Sequence, residues 1–267
     1  MKSLFFLLTL IFCCSFEGFT QCKGACFVEA LLPIEAAGFM NESFRMDQNL
    51  VEKRRMKVYV FSGLGADDRV FQFLDLKYEL VYLPWLEPGI EESISAYAKR
   101  MAAEIDQNEP FGLIGISYGG LVAVEVSKLV RAKKVILISS ACRRKELRLI
   151  YRFFGHVPIW KIVPDDFPSP PLSIAKYLFS PKTQLDLFDS VIQDIPPRFS
   201  RWASEKICKW DNDTVPDNLI LITGSKDRLM PYKKQKNSFL IAGGTHWMIV
   251  DRAEEISKLI NDCFKYP

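Results

Sequence analysis

The decapeptide FGLIGISYGG, residues 111–120, runs from an apolar segment directly into a glycine-rich turn. Its first six residues predict a buried strand, and residues from about 118 to 129 have the spacing of a helix. A chain that turns at once from strand to helix holds the residue at the junction, Ser117, in a strained conformation. We therefore expect Ser117 to project from the carboxyl edge of a sheet, beside helix amides that favour negative charge.

Gly115 and Gly119 flank Ser117 two residues away on either side, so that residues 115–119 match the pattern G-x-S-x-G. Glycine is needed at both positions because side chains there would collide with neighbouring backbone. The pentapeptide alone is weak evidence, since both residue types are common. The strand before it and the helix after it together indicate a nucleophile elbow. The alternative is an ordinary glycine-rich turn with an incidental serine.

Strand and helix patterns alternate along the chain from Met56 onward. Helical spacing is clear in residues 94–105 and in a last helix from about Asp251, where Asp251 and Glu254 have capping-box spacing. Short apolar runs predict strands at 57–61, 79–83, 111–116, 134–139, 218–223 and 238–242. Continuous apolar strands separated by helices indicate a sheet that is buried on both faces. The prediction is an α/β fold, a three-layer sandwich with a mostly parallel sheet.

The alternation breaks between about residues 142 and 212, a segment rich in proline and aromatic residues. We expect irregular helices that form a lid, inserted into a domain spanning residues 56–267. Its aromatic side chains either line an apolar wall over the nucleophile or form the lid's own core. The segment begins with a basic cluster of Arg143, Arg144, Lys145, Arg148 and Arg152. This cluster favours a solvated helix face, and attraction of an anionic carrier such as a phosphopantetheine group is the alternative.

The composition limits the classes of function. The chain has 267 residues, 25% of them charged, and a net charge of +3, which is too small to indicate a nucleic-acid surface. The seven cysteines form no paired zinc spacing and are expected to be buried or incidental thiols. P-loop, dinucleotide and zinc-helix signatures are absent from the sequence, so no metal or cofactor is expected.

Residues 1–55 have two interpretations. Lys2 followed by the apolar residues 4–12 resembles a signal peptide, although its cleavage site is poorly defined. Residues 22–55 show no sustained strand or helix pattern, so a start of translation at Met56 is the alternative. A signal within residues 1–20 implies an exported or membrane-associated protein, whereas a start at Met56 implies a cytoplasmic one.

Four segments together resemble the α/β-hydrolase family, and most closely its small, lidded, carboxylesterase-like members. They are 60–65 (VFSGLG), 115–120 (GISYGG), 224–227 (GSKD) and 243–246 (GGTH). The likeness covers about residues 56–264, without the family's usual antiparallel hairpin before the first parallel strand. The resemblance implies a catalytic triad in the chain order serine, acid, histidine.

His246 fits the place of the histidine, because it follows the last predicted strand and a Gly-Gly-Thr turn. His156 is the other histidine in the chain and is expected to be a surface or packing residue of the lid. Asp227 follows the strand 218–223 and resembles the family's acid. Three competing aspartates precede that strand and would lie at its opposite end: Asp211, Asp213 and Asp217. The expected roles are therefore Ser117 as nucleophile, His246 as base and Asp227 as the acid that orients it.

The resemblance also implies an oxyanion hole made of two backbone N–H groups. One belongs to Tyr118, the residue after the nucleophile, and the other to Leu64 in the loop after the first strand. Ser62 stands where the family usually has a histidine that is mostly structural. A simple flexible turn is the alternative interpretation of this loop.

These residues predict a serine hydrolase that cleaves a carboxylic ester through an acyl-enzyme intermediate. The same triad could serve a thioesterase or an acyltransferase, and the fold also hosts lyases and C–C bond hydrolases. A non-catalytic small-ligand-binding protein on the same scaffold is the alternative of a different class. The expected partner is a small-molecule ester or thioester with an apolar acyl chain, and no nucleic acid.

Overall fold

The computed structural model describes residues 55–64, 66–164 and 170–265. The two interpretations of the N-terminal segment concern residues 1–54, which lie outside the described residues, as does Gly65 of the expected oxyanion loop. Within the described part of the chain, no helix combines the length and the apolar character needed to cross a bilayer.

Six strands form one sheet in the order β2-β1-β3-β4-β5-β6, and every neighbouring pair is parallel. The strands are β1 Lys57–Phe61, β2 Glu79–Tyr82, β3 Phe111–Ile116, β4 Val135–Ile138, β5 Leu219–Gly224 and β6 Ser238–Ile241. Each observed strand end lies within one residue of its predicted position. The carboxyl ends of all six strands therefore meet at one edge, where sites in such sheets assemble.

Eight α-helices occur in the described residues. They are α1 Ile94–Ala103, α2 Tyr118–Ser127, α3 Leu149–Phe154, α4 Leu172–Phe179, α5 Leu185–Gln193, α6 Pro197–Lys209, α7 Met248–Asp251 and α8 Ala253–Lys265. Ser93 caps α1, because its hydroxyl accepts a hydrogen bond from the Ala96 amide at 3.1 Å.

Apolar side chains of β1 to β5 alternate between two hydrophobic clusters, one on each face of the sheet. Tyr59 and Phe61 of β1 pack in the cluster that includes α1 and α2, whereas Val58 and Val60 pack in the cluster that includes α8. Helices therefore cover both faces, and every residue of β3 is buried. The predicted three-layer α/β sandwich is confirmed.

The segment between β4 and β5 carries α3 to α6 and packs onto the main core. Tyr151 of α3 and Trp202 of α6 join the cluster of α1 and α2, while Phe188 of α5 joins the cluster on the opposite face. The buried aromatic side chains of the described part of the insertion thus share the core of the sheet and do not form a core of their own. The role of this segment as a lid stays a prediction.

Asp251 does not cap the last helix. It ends α7, and α8 begins two residues later. The Asp251 carboxylate accepts hydrogen bonds from the amides of Lys182 and Thr183 and from the Thr183 hydroxyl, at 2.8–3.1 Å. The capping-box interpretation is wrong because these tertiary donors, in the loop between α4 and α5, occupy the carboxylate.

Candidate active site

Ser117 occupies the junction between β3 and α2 with a positive φ of 50° and a ψ of −119°. The Ser117 amide donates to the Ile138 carbonyl at 2.9 Å, and the Ser117 carbonyl accepts from the Ser140 hydroxyl at 2.6 Å. A backbone conformation of this kind costs a non-glycine residue about 1–3 kcal/mol. The hydrogen bonds to β4 and to the residues that follow it fix the strained turn.

Gly115 and Gly119 permit this turn by leaving room for backbone. A methyl group at residue 119 would lie 2.1 Å from the Ser62 carbonyl oxygen, and one at residue 115 would lie 2.6 Å from the Gly119 carbonyl oxygen. Both distances are far inside van der Waals contact, so only glycine fits. The start of α2 can therefore press against the end of β1, in agreement with the steric argument from the sequence.

His246 reaches Ser117 from the loop after β6, across 129 positions of sequence, and its Nε2 lies 2.8 Å from the Ser117 Oγ. Gly243 bends this loop with a φ of 73°. The carbonyl of Gly244 accepts a hydrogen bond from the Lys226 amide at 2.8 Å, which ties the loop to the one after β5. The two loops thus hold the imidazole in reach of the hydroxyl.

Asp227 follows β5 and faces the other side of the imidazole. Its Oδ2 and Oδ1 lie 2.9 and 3.0 Å from the His246 Nδ1. The Oδ1 also accepts hydrogen bonds from the amides of Leu229, at 2.9 Å, and Met230, at 2.8 Å. These two amides hold the Oδ1 and so fix the orientation of the carboxylate, with both of its oxygens facing the histidine.

The histidine and the aspartate are shielded from water, with exposed fractions of 3% for His246 and 7% for Asp227, whereas Ser117 is partly exposed. Phe179, at the end of α4, packs edge-to-face on the imidazole with the ring centroids 4.9 Å apart. Exclusion of water strengthens the polar contacts of His246. No sequence pattern distinguished Phe179 from the other aromatic residues of the insertion, because its contact joins two distant segments.

The amides of Leu64 and Tyr118 belong to the two segments that flank Ser117. Tyr118 is the first residue of α2, where amides have no acceptor within the helix. Leu64 follows Gly63, and a methyl group added to Gly63 would lie 3.6 Å from the Ser117 Cβ. Ser62 is buried, and its hydroxyl braces the loop by donating to a carbonyl within it at 2.5 Å. The loop after β1 therefore passes directly beside the serine.

A model of the family described as "Alpha/beta hydrolase family" matches residues 39–259 of the sequence. The chain belongs to the alpha/beta hydrolase family. The match extends from upstream of Met56 into α8, and it confirms the resemblance inferred from the four short segments. As a member of this family, the protein is a hydrolase enzyme.

Solved structures share the fold of this alpha/beta hydrolase. A lipase-esterase related protein from Clostridium acetobutylicum has a TM-score of 0.58 at 18% identity, covering 79% of this chain and 95% of that one. A thermophilic esterase from Thermogutta terrifontis has a TM-score of 0.55 at 15% sequence identity, and the match covers 79% of this chain and 89% of the esterase. An enol-lactonase from Burkholderia xenovorans has a TM-score of 0.58 at 14% sequence identity, and the match covers 79% of this chain and 92% of the lactonase. No curated protein sequence matches the chain.

The remaining titratable candidates take no part in these contacts. His156 is exposed, and its Nε2 lies 3.2 Å from a guanidinium nitrogen of Arg144. The aspartates that precede β5 are exposed: Asp211, Asp213 and Asp217. Within the described residues, no group of three His, Cys, Asp or Glu side chains could hold a metal ion.

The basic cluster at the start of the insertion is largely engaged within the molecule. Arg143 pairs with a carboxylate three residues on at 2.8 Å, Arg144 donates to the Trp210 carbonyl at 2.8 Å, and Arg148 donates to a carbonyl in the loop after β5. Lys145 is exposed. The prediction of a solvated face therefore holds for Lys145. The three arginines instead make hydrogen bonds within the insertion and between the insertion and the main domain.

Two of the thiols are predicted to be inert in the native protein. Burial raises the pKa of the Cys142 and Cys208 thiols to about 12. Because alkylation needs an accessible thiolate, iodoacetamide at pH 8 is expected to leave both unmodified. It is expected to alkylate Cys263 slowly, because this thiol is partly exposed although burial raises its pKa as well. Peptide mass mapping measures this, with denatured protein as the control in which all three react. Rapid alkylation of native Cys142 would contradict the buried environment.

Proposed function

We propose that the protein hydrolyses carboxylic esters through an acyl-enzyme intermediate on Ser117, with His246 as general base and Asp227 as its orienting acid. The observation that carries the proposal is the unbroken chain of contacts from the Ser117 Oγ to the His246 Nε2, at 2.8 Å, and from the His246 Nδ1 to the Asp227 Oδ2, at 2.9 Å. Hydrogen-bond reach between nucleophile and base, with the base held by a third group, is what acyl transfer requires.

In the first half of the reaction, the Ser117 Oγ attacks the ester carbonyl carbon and its proton passes to the His246 Nε2. The imidazolium so formed keeps its Nδ1–H on the Asp227 carboxylate. The carbonyl π electrons move to the oxygen, and the backbone N–H groups of Leu64 and Tyr118 stabilise that oxyanion. The intermediate collapses, the bond to the alkoxy oxygen breaks, and the His246 Nε2 protonates the departing alcohol.

In the second half, a water molecule replaces the alcohol. The His246 Nε2 takes a proton from the water as its oxygen attacks the acyl carbon. Collapse of the second tetrahedral intermediate breaks the bond to the Ser117 Oγ, which recovers the proton from the imidazolium. The carboxylic acid leaves, and the triad returns to its starting state.

The insertion between β4 and β5 is proposed to act as a lid that forms one wall of the acyl site. Support comes from Phe179, whose ring packs on the His246 imidazole and whose carbonyl accepts a hydrogen bond from the Trp247 amide at 3.4 Å. The insertion thus reaches the catalytic histidine directly. A wall that includes such a side chain suits a small-molecule substrate with an apolar acyl chain, and the esterase and lactonase names of the structural neighbours agree with ester chemistry.

A fluorophosphonate probe tests the nucleophile directly. Wild-type protein is expected to be labelled at one serine with loss of esterase activity, because the phosphonate mimics the tetrahedral intermediate. The Ser117→Ala variant is expected to show neither labelling nor turnover of p-nitrophenyl butyrate above background. Ser173→Ala is the matched control, since Ser173 is an exposed serine on α4.

Two outcomes would refute the proposal. Labelling retained in Ser117→Ala would place the nucleophile elsewhere. Absence of labelling in the wild type, together with tight binding of a small apolar ligand, would favour the non-catalytic binding protein. Comparison of an oxygen ester and a thioester with the same acyl group then separates esterase from thioesterase activity.

A further inference from the structure

Trp85 lies in the loop between β2 and α1 and reaches the loop that follows β1. Its indole Nε1 donates a hydrogen bond to the Gly63 carbonyl oxygen at 3.3 Å. The same oxygen accepts a second hydrogen bond, from the Ala66 amide at 3.1 Å. One of these donors comes from within the turn, and the other comes from a separate segment more than twenty residues away.

The Gly63 carbonyl and the Leu64 N–H are parts of one peptide group. A peptide group is planar, and in the trans form its carbonyl and N–H bonds point in opposite directions. No cis peptide bond occurs in the described residues. Any group that fixes the direction of the Gly63 carbonyl therefore fixes the direction of the Leu64 N–H.

The loop that carries Trp85 is itself held in place by α1. The Tyr97 hydroxyl accepts from the Leu86 amide at 2.7 Å and donates to the Leu86 carbonyl at 2.9 Å. The Arg100 guanidinium donates to the Glu87 carbonyl at 3.2 Å. The backbone beside Trp85 is thus fixed by two side chains of one helix, and the indole is attached to a rigid support.

Packing also ties Trp85 to the segment that bears the second proposed oxyanion donor. Its ring centroid lies 5.9 Å from that of Tyr118, 6.1 Å from that of Tyr97 and 5.2 Å from that of Phe199. The Tyr118 amide and the Leu64 amide belong to different elements of the fold. Trp85 contacts both of these elements and so helps to hold them in a fixed position relative to each other.

We propose that Trp85 is a positioning residue that aims the Leu64 N–H at the oxyanion, by holding the carbonyl of the same peptide group. The indole acts through the Gly63–Leu64 peptide and does not itself contact the reacting atoms. This inference rests on the proposed function, because an oxyanion forms only if Ser117 attacks an ester carbonyl. Its effect belongs to the transition state, in which the charge on that oxygen develops.

Trp85→Phe removes the indole N–H and keeps an aromatic ring. With p-nitrophenyl butyrate, kcat is expected to fall about tenfold with KM nearly unchanged, since one of two hydrogen bonds that orient the donor is lost. The inhibition constant of a boronic acid, which forms a tetrahedral adduct with the serine, is expected to rise by the same factor. If Trp85 had a purely structural role, its loss would lower the stability of the fold. It would not selectively weaken binding of the tetrahedral adduct while leaving the KM for the ester unchanged.

Trp202→Phe is the matched control. Trp202 packs on Tyr97 and Tyr118 in the same aromatic layer, but its Nε1 donates to the Glu92 carbonyl at 2.9 Å, away from the Gly63 loop. Trp202→Phe also loses an indole N–H from this group of packed aromatic rings. Its kcat and its inhibition constant for the boronic acid are expected to stay within about twofold of the wild-type values.

Tyr97→Phe supplies a second variant that keeps the indole and loosens its support. Its kcat is expected to fall about threefold, again with KM unchanged, because the Leu86 backbone loses the bonds that fix the Trp85 loop. The inference would be overturned if a folded Trp85→Phe variant had the wild-type kcat and inhibition constant. If Trp85→Phe does not fold, the same result in Tyr97→Phe would overturn it. Failure of the fluorophosphonate to label wild-type Ser117 would instead overturn the proposed function, and this inference with it.

Discussion

Asp227→Asn is expected to hydrolyse esters about 10,000-fold more slowly than the wild type at neutral pH, with little change in KM. Both oxygens of Asp227 lie near the His246 Nδ1, but only the Oδ1 also accepts two backbone hydrogen bonds, and this decides how an asparagine would be seated. The Oδ1 accepts from the Leu229 and Met230 amides, whereas the Oδ2 has the His246 Nδ1 as its neighbour at 2.9 Å. The carboxamide oxygen of asparagine would keep the two amide donors.

The carboxamide NH₂ group would then occupy the Oδ2 position and point a donor at the His246 Nδ1. That nitrogen can meet a donor only as an acceptor, so the imidazole proton moves to Nε2. An Nε2–H cannot accept the Ser117 hydroxyl proton, and general-base catalysis stops although the geometry is retained. The loss therefore comes from the wrong tautomer and not from a collapsed site.

Steady-state kinetics with p-nitrophenyl butyrate measure this effect, and circular dichroism confirms that the variant is folded. Asp217→Asn is the control, because Asp217 is an exposed aspartate at the opposite end of β5. It is expected to retain the wild-type kcat. An Asp227→Asn variant within tenfold of the wild-type rate would exclude Asp227 as the group that orients the base.

Gly119→Ala is expected to lower the free energy of unfolding by about 3 kcal/mol or more, which leaves little folded protein. The added methyl group would lie 2.1 Å from the Ser62 carbonyl oxygen and 2.5 Å from that of Phe61. These backbone atoms cannot give way as a flexible side chain can, because Phe61 ends β1, Ser62 follows it directly, and the strand is paired on both sides. The start of α2 would have to move away from the sheet.

The midpoint of guanidinium chloride unfolding checks this prediction, and a variant found only in inclusion bodies agrees with it. Gly63→Ala is the control for the same region, since its methyl group would be in ordinary contact at 3.6 Å from the Ser117 Cβ. We expect the Gly63→Ala midpoint to stay close to the wild-type value. Equal midpoints for Gly119→Ala and the wild type would show that α2 does not press against β1.

Local patterns in the sequence determined the elements of the sheet and the edge at which the candidate residues gather. Apolar runs set each strand to within one residue, because burial on both faces demands a continuous apolar segment. Strand direction selected Asp227 over Asp217, since the carboxyl ends of parallel strands lie on one side. Glycines two positions either side of Ser117 marked the tight turn by steric exclusion alone.

The partners of polar side chains were decided only by the tertiary structure. Asp251 has the spacing of a helix cap and instead holds the amides of Lys182 and Thr183. Trp85 gave no signal in the sequence, yet its indole reaches the Gly63 carbonyl. A hydrogen bond is made with whichever donor or acceptor packing brings within about 3 Å. Packing joins segments far apart in the chain, and no local pattern encodes which segment arrives.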